Sequence, residues 1–251
     1  MINIQKAAVI GCGFVGASTA FSLVQKGLFS ELVLIDANKE KAEGEAMDLS
    51  HGRPFVHSMK IYAGDYDDIS DCALIIITAG ANQKPGETRL DLVQKNAAIM
   101  RSIIKEIKRV NCEGILLIVS NPVDILTEVA LRESGFPKER VIGSGTVLDT
   151  ARLKYIISEK LDVDSRNVHA FIVGEHGDSE LAAWSCANIY GIKLQDFAKM
   201  RGYEHFAQDM EEVYKGVRDS AYEIIERKGA TYYGIGMAAE KIVEAIVRNS
   251  H

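Results

Sequence analysis

Over roughly its first 145 residues the chain alternates short apolar runs with stretches of helical periodicity, and that rhythm leaves few architectures open. Ala7-Ala-Val-Ile10 ends in glycines and leads into a helical pattern from Phe14 to Lys26. Glu31-Leu-Val-Leu-Ile-Asp36 reads as a second strand, Lys39 to Leu49 as a second helix, and Lys60-Ile-Tyr-Ala63 as a third strand. Ala73-Leu-Ile-Ile-Ile-Thr78 and Gly114-Ile-Leu-Leu-Ile-Val-Ser120 carry no polar face, so each must be covered on both sides, as in a parallel sheet between layers of helices. Thr88 to Val110 supplies a long helix between them. Strands and helices alternating at this length connect by right-handed crossovers, and the expected class is α/β with a doubly wound parallel sheet.

The rhythm changes after Gly143-Ser-Gly145. A helix is expected from about Thr146 to Leu161, then a strand Val168-His-Ala-Phe-Ile-Val173 and a polar Gly174-Glu-His-Gly-Asp178. Two helices follow. One places Phe206, Met210, Val213, Val217, Ala221 and Ile224 at three- and four-residue steps and stops at Lys228-Gly229; the other runs from about Thr231 to Val247. Two domains are therefore expected, residues 1–144 and a smaller, mostly helical 145–251.

Composition narrows the function classes. At 251 residues and 47% hydrophobic, the chain can bury one large or two modest cores without a disulfide or metal staple, and no metal is expected. The formal charge of −6 is spread along the chain, which argues against nucleic acid as a partner. No apolar run approaches the length of a membrane span, and Met1-Ile-Asn-Ile-Gln-Lys6 lacks the apolar stretch of a signal peptide. The 4 cysteines form no CxxC pair, as suits reduced thiols in a cytoplasmic protein.

Gly11-Cys-Gly-Phe-Val-Gly16 is G-x-G-x-x-G placed between a strand and a helix, where glycines permit a tight turn and let the backbone approach a pyrophosphate facing the helix N-terminus. Alone such a triplet is weak. Asp36 strengthens it: it ends the second strand twenty residues after Gly16, where a carboxylate accepts from the ribose hydroxyls of adenosine and repels a 2′-phosphate. A Rossmann domain that takes NAD rather than NADP is expected, through Gly11, Gly13, Phe14, Val15, Gly16 and Asp36. Ala17 follows Gly16 where a phosphate-transfer loop would carry Lys, which removes that competitor.

Four further segments carry chemistry: Gln83-Lys-Pro-Gly-Glu-Thr-Arg89, Ser120-Asn-Pro-Val-Asp124, Leu148-Asp-Thr-Ala-Arg152 and Gly174-Glu-His-Gly-Asp178. With the glycine turn, and in this order, they make the chain resemble the lactate/malate dehydrogenase family in its bacterial form. The resemblance implies hydride transfer between NAD and a small 2-hydroxy acid, L-lactate to pyruvate, as in glycolysis and fermentation. It implies that His176 is the acid/base, that Asp149 fixes its tautomer, that Arg152 takes the substrate carboxylate, and that Arg89 closes in to polarise the carbonyl. Asn121, Asn96, Thr231 and Ile235 match positions near substrate and nicotinamide.

Gln83 stands where members that reduce oxaloacetate usually place Arg, so pyruvate is preferred and malate dehydrogenase is the nearest alternative; a catalytically silent NAD-binding fragment is the other. Lys154 and His169 match positions that bind fructose 1,6-bisphosphate across subunits in bacterial relatives, with Lys here replacing their Arg, and a homo-oligomer, a tetramer in the family, is expected. Most members continue for several dozen residues past the equivalent of Asn249, so the second domain is expected to be shortened, with Ile242 and Ile246 left exposed.

Overall fold

The computed structural model describes residues 1–81, 86 and 88–250. They form two compact units: 1–144 joined by 232 to the end of the chain, and 145–231.

The first unit is built on β1 (Asn3–Ile10), α1 (Phe14–Lys26), β2 (Glu31–Ile35), α2 (Lys39–His51), β3 (Lys60–Ala63), β4 (Cys72–Ile77), α3 (Arg89–Arg109), β5 (Ile115–Ile118), α4 (Val123–Ser134) and β6 (Val141–Gly143). The six strands are all parallel in the order β3-β2-β1-β4-β5-β6. This is the doubly wound order whose direction reverses between β1 and β4, and the crevice at the carboxyl ends of those strands is where such sheets bind ligands.

Alternate residues of each strand feed two separate cores, which is why the strands are apolar throughout. Ala7, Val9, Leu32, Leu34, Leu74, Ile76 and Leu117 pack on one face with α1 and α2. Ala8, Ile10, Val33, Ile75, Ile77, Leu116 and Ile118 pack on the other with Met100, Ile104 and Ile107 of α3 and Leu126 of α4. Each fully buried Leu or Ile contributes about 1.5–3 kcal/mol. The helix α4 and the three-residue β6 lie outside the sequence expectations; a strand that short carries no periodic pattern.

The second unit holds α5 (Val147–Leu161), the two-residue strands β7 (Val168–His169), β8 (Ile172–Val173), β9 (Leu181–Ala182), β10 (Asn188–Ile189) and β11 (Ile192–Lys193), then α6 (Leu194–Met200) and α7 (Phe206–Lys228). The expected single strand over Val168–Val173 is instead two, β7 pairing with β10 and β8 with β9. The break has a local cause. The Thr146 hydroxyl donates to the Ile172 carbonyl at 2.7 Å and the Thr150 hydroxyl accepts from the Ile172 amide at 3.0 Å, so α5 takes backbone groups that a continuous ladder would use. Leu153, Ile157, Val168, Ile172, Met210 and Val213 fill this unit's own core.

The last helix, α8 (Tyr233–Arg248), follows 145–231 in the chain but packs within the first compact unit. Ala239 and Val243 are buried in the first core beside Ala20 and Leu23, and a Cβ on Gly236 would stand 2.9 Å from Ser18, so α1 and α8 approach backbone to backbone. Lys26 of α1 pairs with Glu244 at 3.1 Å. Ile242 and Ile246, expected to be exposed, are half-buried against the same core because α8 lies on α1.

Candidate active site

At the glycine turn the backbone requires glycine at two of the three positions. Gly11 has φ +102°, and a Cβ there would meet the Ala79 amide at 2.5 Å. A Cβ on Gly16 would stand 1.8 Å from the Gly11 carbonyl, so only glycine lets α1 start this close to β1. Thr78 at the end of β4 fastens the turn by donating to the Gly11 carbonyl at 2.7 Å.

Gly13 differs. It is the N-cap of α1 with ordinary dihedrals, and a Cβ there would meet nothing within 4 Å, so no protein atom accounts for a glycine. The first turn of α1 has no side-chain cap and no acidic residue, which leaves its amides and the positive end of the helix dipole open. The residues fit a dinucleotide: amides for the pyrophosphate, space at Gly13, and a carboxylate for the ribose. That carboxylate, Asp36, is held by the Cys12 amide at 2.6 Å and the Asn38 amide at 2.8 Å, and it borders a cavity of about 200 Å³ with Gly64, Asp65 and Asp68.

The other expected residues of this unit take varied positions. Phe14 is exposed and stacks on Tyr232 at 5.0 Å, while Val15 and Ile235 pack half-buried on the first core. Asn121 is exposed just beyond β5. Asn96 is buried, and its amide is bonded to backbone on both sides: it accepts from the Ala81 amide at 2.8 Å and donates to the Asn121 carbonyl at 2.9 Å, bracing the loops after β4 and β5. Arg89 is the exposed first residue of α3, set by the reciprocal Thr88–Asp91 cap at 3.0 and 3.1 Å. Gln83 lies outside the described residues.

In the second unit three expected residues converge. Asp149, 2% exposed in the first turn of α5, accepts from the Arg152 guanidinium at 2.8 Å and meets His176 Nδ1 at 2.6 Å. The pairing follows from local structure: Asp149 and Arg152 are three apart on one helix face, and Thr146 and Thr150 hold Ile172 against that helix four residues before His176. Gly174 and Gly177 flank the histidine at φ +99° and +133°, conformations that a side chain would strain.

Burial alone would raise the Asp149 carboxyl, but the hydrogen bond from His176 and the charges of His176 and Arg152 outweigh it and hold it below the ordinary carboxylate range. The same bond to Asp149 raises His176 above its usual 6.5 against the opposing effect of burial. The imidazole is thus held through Nδ1, beside a cavity of about 130 Å³ bordered by Arg152, Arg218 and Tyr222.

Glu180, unforeseen from the sequence, also borders this cavity and is 5% exposed. It is one of several acidic residues in a polar stretch, and only the folded contacts distinguish it. Thr231 is the half-buried last residue of this unit, Lys154 is half-buried on α5, and His169 is exposed on β7.

The first unit has the dinucleotide-binding arrangement of a nicotinamide-dependent dehydrogenase, and the second holds a buried carboxylate bonded to an imidazole. Known proteins agree. The lactate/malate dehydrogenase NAD binding domain matches residues 5–143, and the family's alpha/beta C-terminal domain matches 146–251. The chain belongs to the lactate/malate dehydrogenase family.

An L-lactate dehydrogenase of Acetivibrio thermocellus is 55% identical over 99% of this chain and 78% of its own length. One from Priestia megaterium is 57% identical over 97% of this chain and 76% of its own. A solved lactate dehydrogenase from a Medee basin deep-sea metagenome library superposes with a TM-score of 0.95 at 54% identity, covering 100% of this chain and 79% of that one. Among the described residues, no helix is long and apolar enough to cross a membrane.

Proposed function

We propose that this chain interconverts L-lactate and pyruvate with NAD, His176 serving as acid/base. The observation that carries the proposal is the Arg152–Asp149–His176 series, bonded at 2.8 and 2.6 Å around a buried carboxylate. NAD, when bound, supplies the site that donates or accepts hydride; the glycine turn, the first amides of α1 and Asp36 would hold it.

In pyruvate reduction the protonated His176 donates from Nε2 to the oxygen that gains negative charge, and in lactate oxidation the neutral ring takes that proton back. Asp149 holds the tautomer and stabilises the imidazolium. Arg152 retains donors beyond the one bonded to Asp149 and takes the substrate carboxylate, with each charge-assisted bond contributing about 1.5–3 kcal/mol. Arg89 polarises the carbonyl, Asn121 orientates it, and Thr231 borders the substrate.

Gln83 sets substrate choice, since a second carboxylate left without a cation costs roughly 3–5 kcal/mol. NADH consumption measured with pyruvate, then oxaloacetate, tests this reading. Pyruvate should have the higher kcat/KM, His176→Asn should lose about 10²–10⁴ in rate, and Gln83→Arg should shift preference toward oxaloacetate. A wild type that favours oxaloacetate would overturn it.

The same reading includes a cytoplasmic homotetramer activated by fructose 1,6-bisphosphate at Lys154 and His169. Pyruvate kinetics with the bisphosphate added, and light scattering for assembly, test those parts.

A further inference from the structure

Three acid–base groups, not two, meet in the second unit. Carboxylate oxygens of Asp149 and Glu180 and a ring nitrogen of His176 all lie within 4.8 Å of one another. Glu180 is fixed there from two sides: its amide donates to the Gly177 carbonyl at 3.1 Å, and the Tyr214 hydroxyl of α7 donates to its carbonyl. It is almost fully buried, and among the described residues no cation pairs with it within 4 Å. The groups facing this cavity are Asp149 and Arg152 from α5, His176 and Asp178 from the loop, and Arg218 and Tyr222 from α7.

We propose that Glu180 is a positioning residue of the acid/base pair, whose buried carboxylate, when ionised, helps retain the proton on His176. The inference rests on the proposed role of His176 and deepens it. Two buried carboxylates this close cannot both ionise freely, because each negative charge opposes the other. The imidazolium relieves that opposition. Burial first, then Asp149, push the Glu180 carboxyl up to about 7, while His176 acts in the opposite direction. Above that pH the site carries two carboxylates around His176, and losing its proton would leave both unscreened. The proton donor needed for pyruvate reduction is therefore conserved into more alkaline solution than the Asp149 contact alone would allow. Arg152 and Arg218 limit the effect, since their positive charge opposes protonation of the ring.

The test is an NMR titration of the free protein, with the His176 resonance assigned by its loss in His176→Asn. In Glu180→Gln, which keeps shape and removes charge, the His176 midpoint should fall by about 0.5–1 unit, and Glu180→Asp should restore at least half of that shift. A midpoint within 0.2 unit of wild type would overturn the proposal. Should Glu180→Gln fail to fold, carboxyl ¹³C titration of the wild type decides: a Glu180 carboxyl already ionised where His176 loses its proton supports the proposal, and one that stays protonated beyond the His176 midpoint overturns it.

Kinetics give a separate reading. The alkaline fall of kcat/KM for pyruvate should move to lower pH in Glu180→Gln, a loss of about 3–10-fold at pH values above it, with less than about twofold change well below it. A uniform loss at every pH would mark Glu180 as structural only. Absence of turnover in the wild type would sink the proposed reaction while leaving the NMR test of Glu180 intact.

Discussion

Asp149 meets Arg152 with one oxygen and His176 with the other, so replacing it should do two separable things. Asp149→Asn removes the strongest upward influence on His176 and leaves Arg152 without its buried partner. Because reduction needs the protonated ring, kcat/KM for pyruvate in this variant should fall about tenfold or more at neutral pH, and its alkaline limb should move to lower pH. Lactate oxidation needs the neutral ring, and its acidic limb should move in the same direction. Limbs that stay in place would show that Asp149 does not set the ring's proton affinity. At this scale the sequence was informative about residue identity and silent about surroundings. His176 stood out because of its flanking glycines, but Glu180, four positions on, gained its meaning only from burial against α5 and α7.

The glycine turn offers a sharper test at the level of the element. Gly11→Ala should destabilise the fold by about 1–3 kcal/mol, since alanine at φ +102° is strained and its methyl would strike Ala79. Gly13→Ser should leave the melting temperature unchanged or higher, because serine is a good N-cap and the space is open. Yet it should weaken NADH binding at least about tenfold in calorimetry if that space is where phosphate sits. Equal NADH affinity in Gly13→Ser and wild type would remove the pyrophosphate from this turn. Strands β1 to β5 and helices α1 to α3 were legible because two-sided burial and amphipathic periodicity are local properties of the residues themselves. The pairs β7–β10 and β8–β9 were not, since each strand has two residues and the break between β7 and β8 depends on hydroxyls of α5, some twenty positions earlier in the chain.

For the whole molecule, the decisive fact is that α8 completes the core of the first unit. No local signal could have indicated this, because α8 is amphipathic and would suit either unit; the close approach at Gly236 and the pairing of Lys26 with Glu244 decide it. Glu244 also meets Lys241 at 2.8 Å and Arg248 at 2.9 Å. Lys241 first, then Lys26, hold its carboxyl down to about 2, so its contribution to stability is present above the ordinary 4.5 and is lost as pH falls toward 2. Melting curves should show Glu244→Gln below wild type at pH 7, with the gap narrowing from pH 4.5 downward. A gap that ignores pH would separate these charges from stability.

The assignment of α8 to the first unit also shapes how the chain must fold as it is made. Its amino-terminal unit leaves the ribosome lacking one wall, and residues 145–231 must be translated before the missing wall begins to emerge. At typical elongation rates that delay is roughly 4–18 s, far longer than a helix needs to form. Throughout it Ala20, Leu23 and their neighbours on the nascent polypeptide lack the cover that Ala239 and Val243 give them in the finished fold.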